Sequence, residues 1–237
     1  MGLGQIENKY LGIEYEIKLN IDMSKKIHVD NPLEYIDQTV SLFTQEDFVF
    51  ANKQNSLLRQ STNYFYGNGE KEGLVLMESP SLGTQIKIKK DLGIVCIGAP
   101  EEKFIQKRKE YIDRSGIQEH IFLAIDKSYS EGERYVGSIF RNRGRRDFIS
   151  AKKGILYEIS FDICIFEKEK KKQIKRQMEI EYLGNLPKIP KLAEEEMLNE
   201  MIRVVRIIKR RLEGRIINKN LISRISFTNE RKYDFLR

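Results

Sequence analysis

Residues 11–20, LGIEYEIKLN, alternate without a break. Ile13, Tyr15, Ile17 and Leu19 fall on one side, and Glu14, Glu16 and Lys18 on the other. This is the two-residue period of a β-strand with one apolar and one charged face. The same period returns along the chain. Residues 57–66, LLRQSTNYFY, read as a strand, with Gly67-Asn68-Gly69 as a turn and 73–78, GLVLME, as the return strand. In 84–90, TQIKIKK, Ile86 and Ile88 share one face and Lys87 and Lys89 the other. Asp91-Leu92-Gly93 is expected to turn the chain into a short strand over 94–97. Residues 135–150, YVGSIFRNRGRRDFIS, hold two strands or one bent strand. Residues 155–166, ILYEISFDICIF, place Glu158, Ser160 and Asp162 together, and 177–183, QMEIEYL, do the same for Glu179 and Glu181.

Three segments break this rhythm. Asn31-Pro32 opens a helix carrying Leu33, Ile36, Val40 and Phe43. Pro100 is expected to open a charged helix with Phe104, Tyr111 and Ile112, ending near Gly116, while 117–126 fits a helix or a strand. From Lys191 to about Leu212 runs an amphipathic helix with Met197, Met201, Val204, Val205, Ile208 and Leu212 on one stripe. The run EKEKKKQIKR, 167–176, is expected as a solvated hairpin connection, and LISRISF in the tail as a last strand. At least seven strand segments with helices between them indicate an α+β fold on a mostly antiparallel sheet or barrel. One domain over 1–237 is expected, with strands over about 8–184 and a helix and tail over 190–237.

Composition narrows the function. The chain has 237 residues, 42 basic and 35 acidic, for a net charge of +7. That modest excess suits nucleic acid, an anionic surface or a polyanionic small molecule. No apolar run approaches the roughly 20 residues of a membrane helix, and MGLGQIENKY carries no basic-then-apolar leader. Cys96 and Cys164 make neither a disulfide framework nor a cysteine-rich zinc site, and His28 and His120 have no ligand spacing. Gly67, Gly69 and Gly73 are one residue too widely spaced for a dinucleotide loop. A cytoplasmic chain without a membrane partner is expected.

The polar faces carry the chemistry. Residues two apart on a strand lie about 7 Å apart on the same side. Glu14 with Glu16 and Glu179 with Glu181 therefore group like charges, as do Lys87 with Lys89 and Arg143 with Arg145. Glu158 with Asp162 does so on one face at about twice that spacing. Clustered carboxylates suit a hard divalent cation, Mg²⁺ or Mn²⁺, and paired cations suit a chain of phosphates. Facing solvent instead, the same rows would make weak cross-strand salt bridges. Parity groups the residues but leaves the inward face open.

Glu14-x-Glu16-x-Lys18 near the N-terminus resembles the signature of the CYTH superfamily, the triphosphate tunnel metalloenzymes. Further segments resemble the family in order. They are Asn63-Tyr64-Phe65-Tyr66, Gln85-Ile86-Lys87-Ile88-Lys89, Gly137-Ser138-Ile139 leading to Arg143 and Arg145, Glu158 to Asp162, Glu179-Ile180-Glu181 and, more faintly, Lys232-Tyr233. The sequence departs from the family at Gly67, where Asp is usual, and at Val95-Cys96-Ile97, where a lysine is common. The resemblance implies a closed eight-stranded antiparallel tunnel with flanking helices. It implies a metal-dependent hydrolase of tripolyphosphate or of an organic or nucleoside triphosphate. A class IV-type adenylate cyclase and a non-catalytic polyphosphate- or RNA-binding tunnel remain the alternatives. Carried over by position, Glu14, Glu16, Glu158, Asp162, Glu179 and Glu181 hold Mg²⁺ or Mn²⁺. Lys18, Lys87, Lys89, Arg143 and Arg145 grip phosphate oxygens, with Glu14, Glu16, Lys18 and Asp162 as the catalytic set. The partner is a triphosphate or polyphosphate, with RNA less favoured and a homodimer left open.

Overall fold

In a computed structural model the described residues are 9–23, 31–41, 43, 48–50, 57–67, 73–95, 105–114, 119, 123–127, 134–187, 189–190, 192–219, 222–228 and 231–236. The strands are β1 (Lys9–Met23), β2 (Phe48–Phe50), β3 (Leu57–Gly67), β4 (Leu74–Ser79), β5 (Gly83–Val95), β6 (Ile105–Asp113), β7 (Arg134–Ser150), β8 (Ile155–Lys168), β9 (Lys171–Asn185) and β10 (Ile222–Thr228). The longer helices are α1 (Pro32–Val40) and α2 (Glu194–Lys219); 123–127 are also helical, within the segment read as helix or strand, and a 3₁₀ helix spans Lys232–Leu236.

Every pairing is antiparallel. The order β1-β6-β5-β4-β3-β7-β8-β9 returns to β1 through a β1–β9 pairing, which closes an eight-stranded barrel. β1 makes three neighbours fit on two edges. Lys9–Ile17 pair with β6, Lys18–Met23 with β10, and Glu16–Asn20 with β9 across the opposite edge. β2 adds to the rim of β7.

The barrel is apolar outside and charged inside. Ile17, Leu19, Tyr157, Ile159, Phe161 and Ile180 point outward, where α1 and α2 cover them with Ile36, Met201, Val204, Val205 and Ile208. Tyr35 of α1 stacks on Phe161 with centroids 4.3 Å apart and rings 9° from parallel. The large core of the molecule therefore lies between the barrel wall and the helices. This fixes the direction that parity left open, because the apolar row of β1 meets helices and its charged row must face the lumen.

Asn31 caps α1 as expected, its side-chain oxygen accepting from Leu33 N at 3.1 Å. Gly144 of β7 is the seat of this helix. A Cβ there would stand 2.8 Å from Leu33 N and Pro32 C, both backbone atoms.

The structure corrects four expectations. Residues 105–113 form β6, not part of a helix; Pro100, Phe104 and Gly116 lie outside the described residues. Asp91-Leu92-Gly93 is a bulge within one long β5, with Gly93 at φ +102° and its N–H held by Asp91 Oδ1 at 2.7 Å, so Ile94 and Val95 continue β5 and do not start a new strand. In the basic run only Glu169 and Lys170, at φ 52° and 60°, make the turn, and Lys171 onward is β9. α2 begins later than expected, at Glu194, and continues to Lys219. Residues 135–150 are one strand, and the tail returns as β10. The turn at Asn68-Gly69 and the residues Cys96, His28 and His120 lie outside the described residues.

Gly144→Ala is expected to lower stability by about 1–3 kcal/mol, as overpacking against fixed backbone does. Chemical denaturation measures it, and an unchanged midpoint would mean that α1 does not rest on this glycine.

Candidate functional site

The barrel encloses a cavity of about 440 Å³. Ten cationic and six acidic side chains line it among the described residues, an excess of four positive charges. Asp162, fully buried behind the wall, reduces that excess to three. Each strand delivers its share by alternation: Glu14, Glu16 and Lys18 from β1, Arg108 and Glu110 from β6, Lys87 and Lys89 from β5, Arg59 and Asn63 from β3, Arg141, Arg143 and Arg145 from β7, Glu158 from β8, and Glu179 and Glu181 from β9.

Most of these charges are paired across the lumen. Arg143 grips Asp162 with two donors, Nε at 2.6 Å and Nη2 at 2.7 Å, and also reaches Glu179. Lys232 pairs with Asp162 at 2.8 Å and with Glu179. Glu16 lies between Lys18, at 2.8 Å, and Arg108. Lys89 bridges Glu14 at 2.8 Å and Glu110 at 3.1 Å, and Arg145 holds Glu158 at 2.6 Å. These cations override the cost of burial. Burial pushes Glu16 and Asp162 upward, but Arg108 with Lys18, and Arg143 with Lys232, hold both carboxyls at about 2.

Two groups break the balance. Arg59, Lys87 and Arg141 have no carboxylate partner within ion-pair distance among the described residues. Burial lowers all three, and neighbouring cations add to it. Lys87 is brought to about 8, against the pull of Glu110, by Arg141, Lys89 and Arg143. Arg59 is brought to about 10 by burial and the guanidiniums of Arg145, Arg141 and Arg143. Arg141 has only Met77 Sδ at 3.7 Å. On the acidic side, Glu181 has no cation in ion-pair contact among the described residues. Burial, then Glu14 and Glu158, raise its carboxyl well above the usual range. Glu14 is raised as well, by burial first and then by Glu16 and Glu110, against Lys89.

The six carboxylates predicted from sequence thus share one lumen, and five of them are paired. Glu14, Glu16, Glu158, Asp162 and Glu179 each meet at least one cation, whereas Glu181 meets none among the described residues and is repelled by Glu14 and Glu158. Among the described residues no three of these groups stand ready as an ion cage. The all-oxygen donors and the uncompensated Glu181 nevertheless suit a hard divalent cation. Of the predicted phosphate-gripping residues, Lys87 alone has no anionic partner in ion-pair contact. Lys18, Lys89, Arg143 and Arg145 are already engaged.

Sequence reasoning missed Arg59, Arg141, Arg108, Glu110 and the tail's Lys232 as members of the site. Parity with Asn63 and with Arg143 was the signal for the first two. Arg108 and Glu110 were hidden by reading their segment as helix.

No protein-family model matches the chain, and no curated protein does. Among solved structures it is similar to the S. pombe Pct1 RNA triphosphatase, at 12% identity and TM-score 0.38 over 89% of this chain and 85% of that one. It is also similar to that protein in complex with the Spt5 CTD, at 9% identity and TM-score 0.35 over 89% and 86%. A third is the Mimivirus capping enzyme triphosphatase, at 12% and 0.40 over 83% and 88%. The closed eight-stranded tunnel itself is the architecture that the resemblance to the CYTH superfamily implies.

Lys87 gives a pH test. Its folded value of about 8 lies below the ordinary lysine value of 10.5, so the cation is lost as pH rises through 8. A bound polyanion restores the charge and takes up a proton. Affinity for tripolyphosphate is expected to fall above pH 8, by up to about tenfold per pH unit. Lys87→Arg should flatten the profile. Calorimetry in buffers of different ionisation enthalpy reads the proton uptake, and a flat wild-type profile would contradict it.

Proposed function

We propose that the chain is a divalent-metal-dependent hydrolase of triphosphate-containing substrates. The observation that carries this reading is the set of unpaired cations, Arg59, Lys87 and Arg141, inside a closed lumen that also holds crowded carboxylates. A triphosphate carries about −4 near neutral pH, comparable with the lumen's excess positive charge. A single phosphate, at about −1.5 to −2, would leave part of that excess uncompensated.

Binding then becomes an exchange of partners. Arg59, Lys87 and Arg141 take phosphate oxygens directly. Lys18 and Arg143 turn to the substrate from Glu16 and Asp162, and the released carboxylates become available to a cation. Glu14, Glu158 and Glu181, with Glu16, Asp162 and Glu179 nearby, would hold Mg²⁺ or Mn²⁺, which would supply charge neutralisation at the phosphates. The side chains position the phosphates and neutralise the charge that develops on bridging and non-bridging oxygens. A carboxylate of the cluster that is not on the cation is suited to accept the proton of the attacking water. Water adds to the terminal phosphorus, the bond to the bridging oxygen breaks, and orthophosphate and a diphosphate leave.

The engaged state of Glu16, Asp162 and Glu179 favours a second reading, a tunnel that binds triphosphate without turnover. Orthophosphate release from tripolyphosphate and ATP with Mg²⁺ or Mn²⁺ separates the two. Release is expected, and tight binding with no release from folded protein would favour the second. Glu16→Gln is expected to lower the rate at least about 100-fold, as loss of a group acting on the transition state does, with the circular dichroism spectrum unchanged. Undiminished activity would remove Glu16 from the site.

Glu181→Gln should separate stability from activity. Removing a repelled charge is expected to raise the melting temperature of ligand-free protein at pH 8 by about 2–4 °C, the shift of about 1 kcal/mol in a chain this size, while activity falls. Scanning calorimetry in EDTA checks it, and a lower melting temperature would show that Glu181 is not repelled.

A further inference from the structure

The outward face of the barrel changes character along β7. It is buried at Gly144, where α1 rests on it. Two pleats further along the same outward row, Phe140 is 39% exposed, and beyond it Tyr135 is 50% exposed. The strand register carries this bare face sideways. Phe140 stands beside Ile165 of β8, and Ile165 beside Ile174 of β9, which is 42% exposed. On the other side, Tyr64 and Tyr66 occupy the outward row of β3. Tyr66 meets Tyr135 with ring centroids 5.6 Å apart, and the Tyr64 hydroxyl donates to Glu78 Oε2 at 3.1 Å.

The β9 edge of this face is cationic. β8 and β9 continue past the last pair with β7, Ile139 with Phe166, as a two-stranded ribbon turned at Glu169 and Lys170. Residues 167–176 hold six cations against two carboxylates, Glu167 and Glu169. Alternation sets Lys172 and Arg176 on the outward side with Ile174, and Glu167 across from Lys172. Neither Lys172 nor Arg176 has an ion-pair partner among the described residues, and Arg176 Nε, buried, has no hydrogen-bond acceptor. Exposed aromatic rings beside such cations fit one class of ligand. Nucleobases offer flat faces to the rings, and the phosphates between them offer charge to Lys172 and Arg176. From β3 to β9 the face is three strand spacings wide, about 15 Å, and a four-stranded sheet face holds about two or three stacked bases. An apolar protein partner would leave the cations of the ribbon without counter-charge.

We propose that the outward face of β3, β7, β8 and β9 binds single-stranded nucleic acid, with bases on Tyr135 and Phe140 and backbone phosphates on Lys172 and Arg176. This is a second site, outside the lumen, and it does not depend on the hydrolase reading. Stacking and phosphate contact are common to RNA and DNA, so both are tested.

Fluorescence anisotropy in EDTA with labelled RNA and DNA dodecamers that carry a 5′-hydroxyl tests it, beside a DNA strand of the same length made of abasic residues. The strands with bases are expected to bind at least about tenfold more tightly than the abasic strand. Binding of RNA alone or of DNA alone supports the site and names its source. Tyr135→Ala combined with Phe140→Ala, both exposed side chains, is expected to weaken binding at least about tenfold, the loss of one or two base stacks, and to leave tripolyphosphate binding in the lumen unchanged. Lys172→Ala combined with Arg176→Ala is expected to flatten the log-log dependence of affinity on salt by about 1.4, two single-strand phosphate contacts. No binding by either strand, equal binding by the abasic strand, or full affinity in the aromatic variant overturns the proposal. So does sedimentation showing that Tyr135 and Phe140 join two copies of the chain, which would make the face a dimer contact.

Discussion

Asp162 is fully buried in the wall of the barrel, where an unpaired carboxylate is not tolerated. Arg143 answers it with two donors from the neighbouring strand, and Lys232 adds a third from the tail. The same two cations hold Glu179. Removing one member of such a buried pair leaves the other uncompensated, at about 3–5 kcal/mol. The barrel therefore depends on charges that satisfy one another across its lumen. Because Asp162 and Glu16 are held at about 2, that contribution is present above the ordinary carboxylate range and is lost as pH falls toward 2.

This constraint inverts the usual layering of a small barrel. Apolar side chains from β1, β8 and β9 face outward and meet α1 and α2. The lumen is left for charge, and the balance there is incomplete in both directions. Arg59, Lys87 and Arg141 lack anionic contacts among the described residues, and Glu181 lacks a cationic one. A ligand that carries both signs, a cation bound to a run of phosphates, relieves both defects at once. The tail packs Phe235 against Phe65, Ile139, Cys164 and Phe166 and brings Lys232 as a charge.

Much of this was legible in the sequence because alternation and chemistry coincide. Ile17 and Leu19 against Glu16 and Lys18 fixed a two-faced strand, and the same logic grouped Glu179 with Glu181 and Arg143 with Arg145. Periodicity does not tell inside from outside, and the packing of the helices decides that. β6 was unreadable because both of its faces are polar: Lys107 and Lys109 point out while Arg108 and Glu110 point in, so the apolar marker of a strand is missing and the Lys, Arg and Glu content favours a helix. Lys232 showed in the sequence only as a faint family likeness, because its place in the lumen follows from β10 returning along β1. The pairing of carboxylates with cations, instead of with each other's ion, likewise emerges only from closure of the barrel.

The central claim is that the inward charges exchange their mutual ion pairs for a metal-bound triphosphate. A crystal structure of the chain with Mn²⁺ and the non-hydrolysable imidotriphosphate, with anomalous data locating the manganese, tests it most directly. The account predicts a manganese peak inside the barrel on carboxylate oxygens, phosphates on Arg59, Lys87 and Arg141, and Arg143 turned from Asp162 to the ligand. Manganese and phosphate found only on the outer surface, with the Arg143–Asp162 pair intact and the lumen unchanged, would contradict it.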